Sequence, residues 1–171
     1  VREINKFSNN VMAQQLFYTL ALQRSPDRPA TQDAARENLR RWWSERIAEP
    51  QAGTAEPLID NGSGLSRETR LSAQQLARLL AVAYDSPWMP ELMSSLPISG
   101  TDGTMRRSRA SPGRAHLKTG SLRDVAARAG YVLGANGRRY LLVALINHPQ
   151  AGAARPMMDA LVQWTMNKDA R

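Results

Sequence analysis

Apolar residues recur at helical spacing through the first hundred positions and at strand spacing through the last seventy. After Ser8-Asn9-Asn10, a group able to cap a helix, Met12, Leu16 and Leu20 fall at i, i+4 and i+8, which predicts a helix stopping near Ser25-Pro26. A second helix is predicted from about Thr31 to Ala48, with Leu39, Trp42, Trp43 and Ile47 as its stripe and Pro50 as its stop. The Trp42-Trp43 pair reads as core rather than as a ligand platform. Residues 50–57 read as loop and Leu58-Ile59 as a short extended piece before the turn-rich Asn61-Gly62-Ser63-Gly64. Ser72 and Gln75 have capping-box spacing ahead of a helix that buries Leu76, Leu79, Leu80 and Ala83, and a short helix spans Pro90 to Leu96.

The period then changes from helical to alternating. From Arg114 to Ser121 one face carries Ala115, Leu117 and Thr119 and the other His116, Lys118 and Gly120. Val125, Ala127, Ala129, Tyr131 and Leu133 alternate strictly as a second strand, and Asn136-Gly137 marks a hairpin. Tyr140 to Ile146 is apolar on both faces, which predicts a third strand that is central and covered on both sides. Pro156 suits the first turn of a final helix whose packed face is Met158, Leu161, Val162 and Thr165. The expected fold class is α+β: a helical section over 1–99, then an antiparallel meander with a packed C-terminal helix over 100–171.

Composition narrows the function classes. With 42% hydrophobic and 22% charged residues the chain is globular in type, and Tyr140 to Ile146, its longest apolar run, falls far short of the ~20 residues a spanning helix needs. The absence of cysteine excludes a disulfide scaffold, a zinc-thiolate site and a cysteine nucleophile. His116 and His148 have no carboxylate at metal-ligand spacing, so no metal or other cofactor is expected. The net charge of +8 lies wholly in residues 100–171, because residues 1–99 balance eleven cations with eleven anions. Arg106, Arg107, Arg109, Arg114 and Lys118 form the densest stretch, which draws anions such as phosphates or carboxylates. With 6% aromatics and no zinc-finger, basic-zipper or RNP-like pattern, nucleic acid is not the expected partner.

Lys118-Thr119-Gly120-Ser121 is the tetrapeptide with the most chemistry in it. Its Lys-Thr-Gly core is expected by chance only about once in a hundred such chains. An ammonium and hydroxyls beside a strand can hold a carboxylate, and glycine lets a peptide approach the strand and extend the sheet. The backbone N–H just beyond the glycine can serve an oxyanion hole. Arginine supplies twenty of the twenty-three cations, so a lysine at this position points to an amine whose pKa can be tuned. Ser8-Asn9-Asn10 fits Ser-x-Asn, in which a hydroxyl relays a proton and an amide holds a carbonyl, although the same triplet also reads as a plain helix cap.

Ser-x-Asn followed about 110 residues later by Lys-Thr-Gly is the order found in β-lactamases and penicillin-binding proteins, whose motif set is completed by Ser-x-x-Lys. Longer stretches sharpen the match: Asn5-Lys6-Phe7-Ser8-Asn9-Asn10, Asp60-Asn61-Gly62-Ser63-Gly64-Leu65-Ser66-Arg67, Gly100-Thr101-Asp102-Gly103-Thr104, Leu117-Lys118-Thr119-Gly120-Ser121-Leu122 and Ala129-Gly130-Tyr131-Val132. Together they resemble the C-terminal part of D-alanyl-D-alanine carboxypeptidases of the peptidase S13 type, the class C low-molecular-mass penicillin-binding proteins, over essentially the whole chain.

The resemblance implies a serine-type carboxypeptidase or endopeptidase that cleaves peptidoglycan stem peptides ending in D-Ala-D-Ala, is trapped by β-lactam antibiotics, and works in the bacterial periplasm. It implies that Ser8 helps relay the proton, Asn10 binds the substrate amide, and Lys118 forms an electropositive catalytic wall. It further implies that Thr119 and Ser121 contact the substrate carboxylate beside Gly120, with the Ser121 N–H completing the oxyanion hole. Here the chain departs from the family pattern. Glu3, Ala115 and Thr165 stand three residues before Lys6, Lys118 and Lys168, so Ser-x-x-Lys is absent. The residues from Val1 onward do not read as a signal peptide; the nucleophile is then expected upstream of Val1, and the isolated chain is expected to be inactive. A missing N-terminal half or a second copy is expected to cover an open sheet edge and its apolar face. The competing expectation is a non-catalytic module that binds anionic wall polymer through residues 106–118.

Overall fold

The computed structural model describes residues 1–23, 26–48 and 56–168, in two compact units. Ser25, Pro50 and most of the expected 50–57 loop lie outside the described residues.

One unit spans Asn9–Val82. Its helices α2 (Asn10–Leu22) and α3 (Gln32–Arg46) pack through Phe17, Ala21 and Ala35, with Leu39 and Ile59 against them. Thr31 caps α3 by accepting from Ala34 N. The buried stripe of α2 is Phe17 and Ala21, whereas Met12 and Leu16 of the expected stripe are exposed. Within the Trp pair, Trp43 is core and Trp42 is exposed, as residues one apart on a helix must face different ways. Leu58 bridges Arg70, the short extended piece expected there. The capping box before α4 (Ala73–Tyr84) is reciprocal: Ser72 N donates to Gln75 Oε1 and Gln75 N to Ser72 Oγ.

The other unit joins Val1–Ser8 to Ala83–Arg171. It contains α1 (Arg2–Phe7), a short helix without a sequence signal of its own, and α5 (Met89–Ser95), which carries Pro90 in its first turn and lies within one residue of the expected Pro90 to Leu96. The strands β1 (Ala115–Leu122), β2 (Val125–Leu133) and β3 (Arg139–Asn147) form an antiparallel sheet in the order β1-β2-β3. The helix α6 (Arg155–Asn167) covers one face with Met158, Val162 and Met166, meeting Ala115, Leu117, Val132 and Leu142.

One expectation about the strands needs correction. Among the described residues β3 lies at an edge of the sheet, not at its centre, and Leu141 is exposed. A meander puts the second strand in the middle, whatever the hydrophobicity of the third. In β2, alternation gives α6 the even positions, Val132, Gly130 and Arg128. Tyr131, on the opposite face, is buried against Tyr84 at 5.7 Å between ring centres. Arg128, 6% exposed, is placed on the helix side because Asp159 of α6, 7% exposed, meets it at 2.6 Å. Asp159 also accepts from Ser108 Oγ at 2.7 Å and Arg109 N at 3.2 Å.

Candidate functional site

Ser8 sits at the C-cap of α1 with φ 54° and ψ 48°, the left-handed region. It is the sole non-glycine residue with positive φ among the described residues. Its N–H donates to Ile4 O, closing the last turn of the helix. The helix itself is tied down twice. Asn5 Nδ2 donates to Ser95 Oγ at 2.8 Å, and the buried Lys6 donates to Asp102 Oδ2 at 2.5 Å. Burial alone would raise the Asp102 pKa, but the Lys6 ammonium and the Ile98 N–H on its other oxygen hold it below the ordinary value.

Strand alternation turns Lys118 away from the α6 core. Its Nζ donates to Ser8 Oγ at 2.5 Å and to Thr119 O at 2.7 Å. No carboxylate among the described residues pairs with it, and burial lowers its pKa by disfavouring the ammonium. An amine with a loosened proton, bonded to a hydroxyl, can hand that proton on or stabilise a growing negative charge.

Thr119, Gly120 and Ser121 carry β1 to its exposed end. Thr119 Oγ1 donates to Thr104 Oγ1 at 2.8 Å. The outer edge of β1 is used at Ala115 and Leu117, where Ser99 N donates to Ala115 O and Leu117 N to Pro97 O, both at 2.9 Å. Since alternate residues of a strand point their backbone groups the same way, Thr119 and Ser121 share that edge beyond the end of segment 97–99. The Ser121 N–H thus faces an open edge among the described residues, where an extended peptide could pair.

Asn10 belongs to the other unit, as the first residue of α2, and its Nδ2 donates to Ser63 O at 2.6 Å. The capping role falls to Asn9, whose side chain accepts from Met12 N, leaving the Ser8 hydroxyl to Lys118. In the basic stretch, Arg114 is committed to the carbonyls of Leu133 and Gly134, while Arg106, Arg107 and Arg109 are exposed.

Residues 1–168 match the profile of the D-Ala-D-Ala carboxypeptidase 3 (S13) family. The chain belongs to that family. It is 31% identical over 157 residues to the D-alanyl-D-alanine carboxypeptidase of Actinomadura sp. (strain R39), covering 87% of this chain and 28% of that protein. The crystal structure of penicillin binding protein 4 (dacB) from Haemophilus influenzae superposes with a TM-score of 0.78 at 25% identity, over 95% of this chain and 39% of the other. A complex of that same protein with a β-lactam superposes equally well, at 24% identity. This S13 chain therefore spans between about a quarter and two fifths of the length of these relatives.

Three residues of this S13 chain that support the site had no chemical reading in the sequence: Lys6, Asp102 and Thr104. All lie inside stretches quoted for the resemblance, and the available signal was an acid and a hydroxyl set around the glycines of Gly-Thr-Asp-Gly-Thr.

Proposed function

We propose that this chain forms part of the active site of a serine-type D-Ala-D-Ala carboxypeptidase or endopeptidase acting on peptidoglycan in the bacterial periplasm. The contact of Lys118 Nζ with Ser8 Oγ, joining groups 110 residues apart, carries the reading. The nucleophilic serine is supplied by polypeptide outside these 171 residues, which contain no Ser-x-x-Lys, so the chain alone is inactive. That serine gives its hydroxyl proton to a base on the same outside polypeptide as its oxygen adds to the carbonyl of the penultimate D-Ala, and the negative charge on the carbonyl oxygen is stabilised by the Ser121 N–H. The C–N bond then breaks, and the departing amine takes a proton through the Ser8 hydroxyl, which Lys118 replenishes. Thr119 and Ser121 hold the terminal carboxylate through their hydroxyls, and Asn10 binds the substrate amide. Water releases the acyl group. In a β-lactam the strained amide acylates the same serine.

A fluorescent penicillin tests this on the full-length parent protein. Lys118→Ala is expected to slow covalent labelling by about 100-fold, the scale for loss of one charge-stabilising donor. Labelling at the parent rate would remove Lys118 from the mechanism.

A second reading is favoured by one observation: the exposed Arg106, Arg107 and Arg109 have no side-chain partner among the described residues. They would hold anionic wall polymer. Replacing all three with serine is then expected to weaken salt-sensitive retention on purified peptidoglycan while penicillin labelling stays unchanged. Unaltered retention would dismiss it.

A further inference from the structure

One loop, residues 100–105, touches the supports of both Ser8 and Lys118. Asp102 holds Lys6, two residues before Ser8, and Thr104 holds Thr119, one residue after Lys118. We propose that this loop is a clamp that fixes the spacing of the Ser8 hydroxyl and the Lys118 amine, with Asp102 and Thr104 as its positioning residues. The proposal rests on the reading that Ser8 and Lys118 serve acyl transfer.

The loop is built to transmit position. Gly100 N donates to Met105 O at 3.1 Å and Asp102 N to Ile98 O at 3.2 Å, so it closes on itself. Met105, 1% exposed, roots it in the core beneath β1. Asp102 cannot swing, because one oxygen takes the Lys6 ammonium and the other the Ile98 N–H at 2.8 Å. Gly103 lets the α1 backbone lie against the loop: it has φ 51°, and a Cβ there would strike the Lys6 carbonyl. Burying the Lys6 ammonium is costly unless it is paired, and the pair contributes little net stability. What it supplies is a short charged bond with a single geometry.

Thr104 adds a device on the opposite side. Either hydroxyl of the Thr104–Thr119 pair can donate. When an anion accepts the Thr119 hydrogen bond, the Thr104 hydroxyl can turn round and donate to Thr119, so the hydroxyl stays aimed. A reacting geometry loosened by about 1 Å can cost up to 100-fold in rate, so a loop that sets this spacing is felt in acylation before it is felt in folding.

The test is the penicillin acylation rate of the full-length parent protein, with its melting temperature measured alongside. Thr104→Val, at an exposed position, is expected to slow acylation about tenfold with an unchanged melting temperature, and Thr104→Ser to restore it. Asp102→Asn is expected to slow acylation in the parent and to add nothing further in a Ser8→Ala background, because it acts through Ser8. Parent rates for Thr104→Val, or a full Asp102→Asn effect on top of Ser8→Ala, would overturn the clamp. If Asp102→Asn does not fold, the Thr104→Val loss and its serine rescue decide alone. Parent-rate labelling of Lys118→Ala refutes the underlying mechanism. Loss of labelling there with parent rates in both loop variants refutes the clamp only.

Discussion

Asp159→Ala is expected to cost about 3–5 kcal/mol of folding stability, the range for removing one partner of a buried ion pair. The carboxylate accepts from Arg128, Ser108 and the Arg109 N–H at once, tying β2 and the 106–113 loop to α6. Its loss strands the buried Arg128 guanidinium in the α6–sheet interface. A thermal melt should show a fall on the order of 10 °C for a domain of this size. The double replacement Arg128→Leu with Asp159→Leu should recover most of the loss, because no unpaired charge is then left behind. A single variant melting with the parent would show that water reaches Arg128. The pH dependence has a definite sign. Burial alone would raise the Asp159 pKa, but its hydrogen bonds from Ser108 and Arg128 hold it below the ordinary 3.8. A depressed carboxyl stabilises the fold above its unfolded pKa. Its contribution is therefore complete at neutral pH and lost as pH falls below about 4 through the folded value. Asp159→Asn should flatten the acid limb of a stability–pH curve.

Gly130→Ala is the second large effect, expected at about 3 kcal/mol or more, since a strained φ and an overpacked contact cost about 1–3 kcal/mol each. Gly130 has φ 151°, and a Cβ there would strike the His116 carbonyl oxygen and lie 3.1 Å from Leu117 Cα. Both neighbours are backbone, so no rotamer change relieves the clash. β1 would have to move away from β2, carrying Lys118 with it, because Leu117 faces Gly130 in the register. In the full-length parent protein, melting temperature and penicillin labelling should therefore fall together. A loss of stability with the parent acylation rate would mean that β1 yields without displacing its lysine.

The chain's own letters made the secondary structure readable wherever a local device closed it. The Ser72–Gln75 box, Pro90, Pro156 and the Asn136-Gly137 turn all fall where the pattern puts them. Patterning failed where a position's neighbours come from distant chain. Nothing near Arg128 in the chain marks it as the partner of Asp159 on α6, and the apolar third strand reads as central until the meander order is known. The site divides the same way. Lys118 and Ser8 were recognisable from motif order, whereas Asp102 and Thr104 act through hydrogen bonds spanning 96 and 15 residues that no local spacing encodes.

The left-handed backbone of Ser8 also limits which residues could ever replace it. Threonine carries the same hydroxyl, but its branched Cβ is strongly disfavoured at positive φ. A swap that proton chemistry alone would permit is thus barred by the shape of the main chain. Glycine would adopt the turn readily yet bring no oxygen to it. Among these three residues, only serine satisfies both demands, so Ser8→Thr should prove the more disruptive change to architecture and Ser8→Gly the cleaner removal of the proposed proton relay.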